Sequence, residues 1–449
     1  MTSIDRAAKR RLWGWWAFDW ASQPYNTLLL TFIFGPYVTE VLGDGTAAQA
    51  AWGYGVGAAG IVIALSAPFL GAIADLCGRR MPFIRLFSAF YVVGAFGLWW
   101  ADPGGFHLIP ILILFAVGLV GMEFTTTFTN AFLPTLGQRA DLGRISGTGW
   151  ALGYLGGLVA LVLMLLFFAE GAETGRTVLG TPPILGLDPT AREGTRAVGP
   201  LTAIWYVIFM IPFFLWVRDA RPTTMIPVRQ AIKTAWPELR TTLQNLPKNQ
   251  SLFAYLGSSM FYRDALNGMY VFGGIYTAGV LGWNVIDVGL FGILALVTGV
   301  IFSWLGGRAD SRYGPKPVIV ANVAVLTLVA VAIIFVSRDH VFGVPVGPDS
   351  HLPDMVFYIL GAVIGAAGGA LQTASRTMMV RQADDEKMTE GFGLYALAGK
   401  ATSFIAPLSI GFMTDLTNNQ AMGVTPLVLL FLIGLVLMFW VNPQGQRTV

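Results

Sequence analysis

Cysteine occurs once in the 449 residues, as Cys77, which excludes an internal disulfide and leaves the redox compartment open. Histidine occurs three times. His107, His340 and His351 all fall at or near segments read below as non-cytoplasmic loops, which argues against a histidine proton relay in mid-membrane. Charged residues make up only 12% of the chain, and no long soluble domain is visible. There is no metal-ligand cluster, no Walker glycine loop and no nucleophile elbow. No metal or other cofactor is therefore expected, ATP hydrolysis and covalent catalysis have little support, and the chain is not read as an enzyme. The net charge of +3 reflects membrane topology better than nucleic-acid binding.

What is abundant is apolar. The chain is 55% hydrophobic and 13% aromatic, with a mean hydropathy of +0.64, unlike a water-soluble globule of this size. A transmembrane helix needs roughly 20 mostly apolar residues, and about twelve such stretches follow one another. The first six lie near 13–41, 51–76, 82–101, 107–132, 146–169 and 200–217. The second six lie near 251–280, 285–307, 317–336, 352–380, 390–414 and 423–441. The opening MTSIDRAAKRRLWGWW has the basic flank of a signal peptide, but the apolar run after it is too long and no clear A-x-A site follows, so a retained first helix is expected.

Lysine and arginine set the orientation, because positive loops stay cytoplasmic. Arg218, Arg221, Arg229, Lys233, Arg240 and Lys248 sit between helices six and seven, and Arg6, Lys9, Arg10 and Arg11 precede helix one. The opposite face carries only Arg176, Arg192, Arg196 and Arg338. Both termini are thus placed in the cytoplasm. The basic, polar stretch 218–250 divides the chain into an N-terminal six-helix bundle at 1–217 and a C-terminal one at 251–449. The expected fold is all-α, a multi-pass protein of a bacterial inner membrane, monomeric, with the lipid bilayer and a small-molecule substrate as its partners and no nucleic acid.

An internal repeat supports the two halves. GAIADLCGRR follows helix two and GGRADSRYGPK follows helix eight. Each keeps a glycine four residues before an aspartate, then a glycine and a basic residue. Gly71, Asp75, Gly78, Arg79 and Arg80 in one copy, and Gly306, Asp310, Arg312, Gly314 and Lys316 in the other, are read as tight cytoplasmic gating loops. Glycine there allows close helix approach, and the aspartates can cap a helix end or pair with a neighbouring arginine.

With this spacing at these two places the chain resembles the major facilitator superfamily. Leu76 stands where that family usually has a basic residue, and the second copy has one extra residue before Gly314. WWAFDWASQPY in helix one, FYRDALNGMYVFGGIYTAGVLGW in helix seven, and LQTASRTMMVRQ leading into EGFGLYALAGK resemble its vacuole-effluxer-like branch. Phe18 and Ser22 replace that branch's usual tyrosine and asparagine. The resemblance implies twelve helices in the major facilitator fold and makes amino-acid export a candidate activity.

Ionisable residues inside the predicted helices are Asp19, Glu123, Arg263, Asp264, Arg376 and Lys400. The first five fall on helices one, four, seven and ten, the first of each successive three-helix unit, which face the central cavity in transporters built from such repeats. Polar neighbours at helical spacing make stripes: Asp19, Gln23 and Asn26; Glu123, Thr126 or Thr127, and Asn130; Ser259, Arg263 and Asn267; Gln372 and Arg376. Such stripes are costly in lipid and must face a bundle interior or water. Pro24 is expected to kink helix one and open carbonyls to a ligand.

The first half contributes two acids, the second a net of two positive charges. In one reading a zwitterion is held with its ammonium near Asp19 or Glu123 and its carboxylate on Arg263, Arg376 or Lys400. In the other, acids and bases pair as fixed struts, Asp264 first among them. Tyr25, Tyr262 and Tyr270 are further candidate contacts, whereas Trp13, Trp15 and Trp16 read as interfacial anchors. Coupling by H+ or Na+ would fall to Asp19, Glu123 or Asp264. The expectation is a secondary active transporter of a small zwitterionic or anionic solute, amino-acid-like first. A sugar or muropeptide carrier, and a non-transporting receptor that kept the fold, remain alternatives.

Overall fold

The computed structural model describes residues 3–42, 45–219, 226–283, 285–347 and 349–445. Helix one is α1 (Ser3–Pro24), a π-helical stretch Tyr25–Phe32 and α2 (Phe34–Leu42). The rest of the first half comprises α3 (Gly45–Cys77), α4 (Met81–Gly97), α5 (Leu108–Asn130), α6 (Leu142–Phe167), the one-turn α7 (Glu193–Arg196) and α8 (Val198–Trp216). An 18-residue helix, α9 (Val228–Asn245), occupies the stretch expected to be only a polar linker. Residues 220–225 of that linker, Arg221 among them, lie outside the described residues.

The second half contains α10 (Gln250–Val280), α11 (Val285–Tyr313), α12 (Pro315–Ile334), a small hairpin of β1 (His340–Val341) and β2 (Val344–Pro345), α13 (Leu352–Gln382), α14 (Met388–Ala401), α15 (Ile405–Thr417) and α16 (Thr425–Leu437). Ten helical segments among the described residues are long and apolar enough to cross a membrane. Helix one and α10 complete the twelve. They carry the polar stripes that lower their hydropathy, yet α10 at 31 residues is about 46 Å long, more than a bilayer core requires.

Two places depart from simple helices, each for a chemical reason. Pro24 has no N–H, and the chain beyond it adopts the wider π register, with the Ile33 N–H bonded to the Leu28 carbonyl at 3.0 Å. Helix eleven, expected to be continuous over 390–414, breaks between Ala401 and Ile405. Pro407 cannot donate to the Ser403 carbonyl, and the Ser403 hydroxyl bonds the Lys400 carbonyl at 3.1 Å, a local alternative to the helical ladder.

Packing divides the chain into two compact units. The first comprises Met1–Ala67, Ile73–Phe132 and Leu152–Val228; the second comprises Pro68–Ala72, Leu133–Ala151 and Arg229–Val449. In the first, α4 lies so close to α5 that a Cβ on Gly94 would sit 2.3 Å from the Gly118 nitrogen. Lipid provides no hydrophobic drive between helices, and such close backbone contact supplies the attraction instead. Around it pack Phe87, Phe124 and Phe128, and Tyr91 stacked on Tyr206 at 3.9 Å. In the second unit the same device joins α13 to α11, where a Cβ on Gly365 would meet the Ala295 carbonyl at 2.1 Å.

The long segment 170–199 is fastened to the first unit by buried charge. The Glu170 carboxylate accepts from Arg192 Nε at 3.0 Å, from the Thr195 N–H at 3.1 Å and from the Thr195 hydroxyl at 3.0 Å. Arg192 also pairs with Glu40. Arg196, buried, donates to the Trp99 carbonyl, pairs with Asp102 at 3.3 Å and lies over the Trp99 ring. Removing one partner of a buried pair typically costs about 3–5 kcal/mol. Arg192→Ala is therefore expected to lower the apparent melting temperature in detergent more than Glu170→Gln, which keeps an acceptor for Thr195. Equal melting of Arg192→Ala and the parent would show that this clamp does not anchor the segment.

Candidate functional site

In the first unit, the two acidic stripes lie on adjacent helices. Asp19 is buried on α1, and Gln23 and Asn26 are half-buried on the same side. The Asn26 amide reaches Met122 Sδ on α5 at 3.9 Å, and the Trp15 indole donates to the Thr129 carbonyl at 2.9 Å. Glu123 is half-buried, Thr127 donates to its carbonyl at 2.9 Å, and Asn130 is buried with an amide oxygen that has no hydrogen-bond partner among the described residues. Close approach of α6 backs the acid, since a Cβ on Gly153 would lie 3.3 Å from the Asp19 carbonyl.

Two expectations in this unit need correction. Tyr25 has no exposed surface; its hydroxyl donates to the Phe115 carbonyl at 2.6 Å and its ring packs on Tyr91, so it is a core residue rather than a lining one. The carbonyl that Pro24 releases, that of Trp20, is not left for a ligand. It accepts from the Trp205 indole at 3.2 Å, and the two indoles stack at 5.6 Å.

In the second unit, Arg263 on α10 is half-buried. Its Nη1 donates to the Tyr395 carbonyl on α14 at 3.0 Å, and its guanidinium lies 4.1 Å from the centre of the Tyr395 ring. This seat requires Gly399, where a Cβ would come within 2.5 Å of Nη1. Arg376 on α13 is 4% exposed and lies 4.9 Å from the centre of the Trp150 ring. Ser146, one turn earlier on α6, donates to the Thr373 carbonyl at 3.0 Å and fixes that ring's helix against α13. Gln372 and Lys400 are half-buried.

Asp264 points elsewhere: one oxygen accepts from the Ala406 N–H at 3.1 Å, in the first turn of α15, and the other is buried with no hydrogen-bond partner among the described residues. Tyr262 resembles Tyr25, being fully buried with its hydroxyl on Ser375 at 2.8 Å. Asn267 and Tyr270 are exposed, and Tyr270 leans on α13 beside Gly368. Tyr262 is thus enclosed rather than lining, whereas Asn267 is exposed one turn along α10 from Arg263.

The repeated motifs are helix ends rather than loops. α3 continues through Gly71 and Asp75 to Cys77, and α11 through Gly306, Asp310 and Arg312 to Tyr313, so the turns are confined to Gly78–Arg80 and to Gly314. Gly78 and Gly314 adopt φ of 61° and 85°, which only glycine tolerates readily. Asp75 pairs with Arg80 at 3.3 Å, and Asp219 accepts from the Arg80 N–H at 2.9 Å. Arg79 is exposed, and Lys316 donates to the Val441 carbonyl at 2.7 Å. In the second unit Asp310 accepts from Thr377 and abuts the start of α6, where Ser311 accepts from the Arg144 N–H at 2.9 Å. A Cβ on Gly143 would lie 2.7 Å from the Asp310 carboxyl carbon, and one on Gly71 would lie 2.5 Å from the Thr389 carbonyl.

The ring partners Trp150 and Tyr395 were not singled out in the sequence. Tyr395 sits inside a motif that was, EGFGLYALAGK; for Trp150 the available signal is a lone indole in the small-residue run SGTGWALG. An open groove of about 580 Å³ at the start of α13, lined by Leu294, Met355, Tyr358 and Ile359 among others, contains none of the predicted site residues.

The family model described as vacuole effluxer Atg22 like matches residues 40–448. The chain belongs to the Atg22-like vacuole effluxer family. Relatives of this Atg22-like protein include an uncharacterized MFS-type transporter, YxiO, of Bacillus subtilis, 23% identical with 97% of this chain and 95% of that one covered. Autophagy-related protein 22 of Cryptococcus neoformans is 24% identical over 62% of this chain and 47% of its own. The Atg22-like chain thus spans about half the length of the fungal relatives it matches. Among solved structures, the human organic anion transporter MFSD10 superposes with a TM-score of 0.68 at 14% identity, covering 98% of this chain and 100% of that one. The proton:xylose symporter XylE gives 0.65 at 12% identity, covering 97% and 95%. At these identities the likeness establishes the major facilitator fold. The Atg22-like protein is accordingly a multi-pass membrane transporter of the major facilitator superfamily.

Proposed function

We propose that this transporter moves a small zwitterionic or anionic solute, amino-acid-like first, by alternating access, with its movement coupled to H+ or Na+. The observation that carries this reading is the pair Arg263 and Arg376, guanidinium groups on two membrane helices of the second unit, each seated over an aromatic ring. A guanidinium is expensive in a membrane segment, and such residues mark substrate paths. Its planar fork matches a carboxylate in two parallel hydrogen bonds. In the same reading, coupling to H+ or Na+ falls to Asp19 or Glu123 in the first unit or to Asp264 in the second. MFSD10, which shares the fold, is an organic anion transporter.

One observation favours a narrower division of labour. Arg263 already donates to the Tyr395 carbonyl across Gly399, a brace between α10 and α14, so Arg376 is the first choice for the carboxylate. The test is uptake of labelled amino acids, sugars and peptides into proteoliposomes, with and without a proton or sodium gradient. Gradient-stimulated accumulation of an amino or organic acid is expected. Accumulation of sugar alone would replace this reading by the sugar-carrier one, and no uptake with no ligand-induced rise in melting temperature would favour a receptor.

A further inference from the structure

Helix α9 is built on one stripe. At 100° per residue its apolar side chains fall within an arc of about 140°. One edge of the arc, Ala231, Ala235 and Leu239, is buried in the protein. The other edge is bare: Val228 is 56% exposed, Ile232 48%, Trp236 61% and Leu243 40%. Immediately beyond that bare edge stand Arg229, Lys233 and Arg240, all exposed and none in an ion pair with a described residue. The acid of the helix, Glu238, is on the other side, next to the buried edge. Bases therefore border the open apolar strip, and the acid borders the covered one.

The position of α9 says what lies opposite. Only the short turn Leu246–Lys248 separates it from α10, a membrane-crossing helix, on the face that the lysine and arginine distribution assigns to the cytoplasm. The helix is thus tethered within a few residues of the bilayer surface, where cytoplasmic leaflets are anionic. A basic amphipathic helix with an exposed tryptophan has the pattern of a helix lying in the interfacial plane.

We propose that α9 rests on the cytoplasmic leaflet, with Ile232, Trp236 and Leu243 entering the boundary between headgroups and acyl chains and Arg229, Lys233 and Arg240 binding anionic phospholipid headgroups. The helix then links the lipid composition of the membrane to the start of α10. Its open face is covered by lipid, not by a second protein.

Cys77, the lone cysteine, makes the test direct. In a Cys77→Ala background of the full chain, spin labels at Ile232→Cys, Trp236→Cys and, on the opposite face, Gln230→Cys are compared in nanodiscs of phosphatidylcholine with and without phosphatidylglycerol. Labels at 232 and 236 should be severalfold more accessible to oxygen relative to nickel chelate than the label at 230, and more so with the anionic lipid. The triple reversal Arg229→Glu, Lys233→Glu, Arg240→Glu should abolish the dependence on phosphatidylglycerol. Nickel-accessible labels at 232 and 236 in both lipids would show the face in water and overturn the proposal. Labels equally shielded from both reagents in detergent and in bilayers would show it covered by protein, and would overturn it too.

Discussion

Arg376→Ala is expected to reduce uptake of a carboxylate-bearing solute about 30- to 700-fold while leaving the protein folded. Truncating one partner of a buried, hydrogen-bonded charge pair costs about 2–4 kcal/mol, and each 1.4 kcal/mol is tenfold. Arg376 is only 4% exposed, so under the proposed function a solute meets it only after its surroundings rearrange. The seat over Trp150 prepares the guanidinium: the ring restricts its orientation without competing for its donors. Arg376→Lys keeps the charge but loses the planar fork, and an intermediate loss is expected. Three measurements separate a binding role from a bracing one, namely uptake, the ligand-induced shift in melting temperature, and the melting temperature itself. A binding residue affects the first two alone. If Arg376→Ala transports the acid as the parent does, the carboxylate is held elsewhere and the proposed solute class loses its support.

The parallel experiment on Arg263 should look different. Its bond to the Tyr395 carbonyl ties α10 to α14, so Arg263→Ala is expected to lower melting temperature as well as uptake.

How much of this was legible in the sequence depends on the range of the interaction. Ten of the expected spans recur among the described residues because each bilayer crossing needs a fixed length of apolar chain. Polar stripes on helices one, four, seven and ten are likewise local patterns. The motif turns are shorter than expected, since Gly71 and Gly306 are helical, but the close helix approach expected of these glycines is present. The π stretch after Pro24 and the break at Ala401–Ile405 were half legible: the prolines were visible, but not that the Trp205 indole takes the Trp20 carbonyl or that the Ser403 hydroxyl takes the Lys400 carbonyl. Helix α9 was hidden because its charges made the segment look like a linker, although its apolar residues recur at helical spacing. The seats of Arg263 and Arg376 depend on Tyr395 and Trp150, far away in the chain, and no local pattern reports them. Tyr25 and Tyr262 show the converse, polar atoms on a promising helix whose hydroxyls are already used in packing.

Asp264→Asn is expected to uncouple transport without unfolding the protein. Asp264 is 2% exposed, accepts one hydrogen bond, from the Ala406 N–H, and forms no ion pair with a described residue. An ionised carboxylate so placed is costly, and a proton or a cation arriving at its second oxygen relieves that cost. The group also sits where helix eleven is broken, so its charge bears on the first turn of α15, whose amide dipoles favour an anion. Under the proposed coupling, ion arrival at this junction would change how α10 and α15 pack. Asparagine retains an oxygen for Ala406 and removes the charge, whereas Asp264→Ala also removes the hydrogen bond and should lower the melting temperature. A one-proton symporter can concentrate its solute about tenfold per pH unit of gradient, since one unit is worth about 1.36 kcal/mol. Asp264→Asn should lose that accumulation, or the sodium-driven equivalent, while continuing to exchange solute at equilibrium. Undiminished accumulation by this variant would transfer coupling to Asp19 or Glu123 and leave Asp264 as a structural ligand of the helix junction.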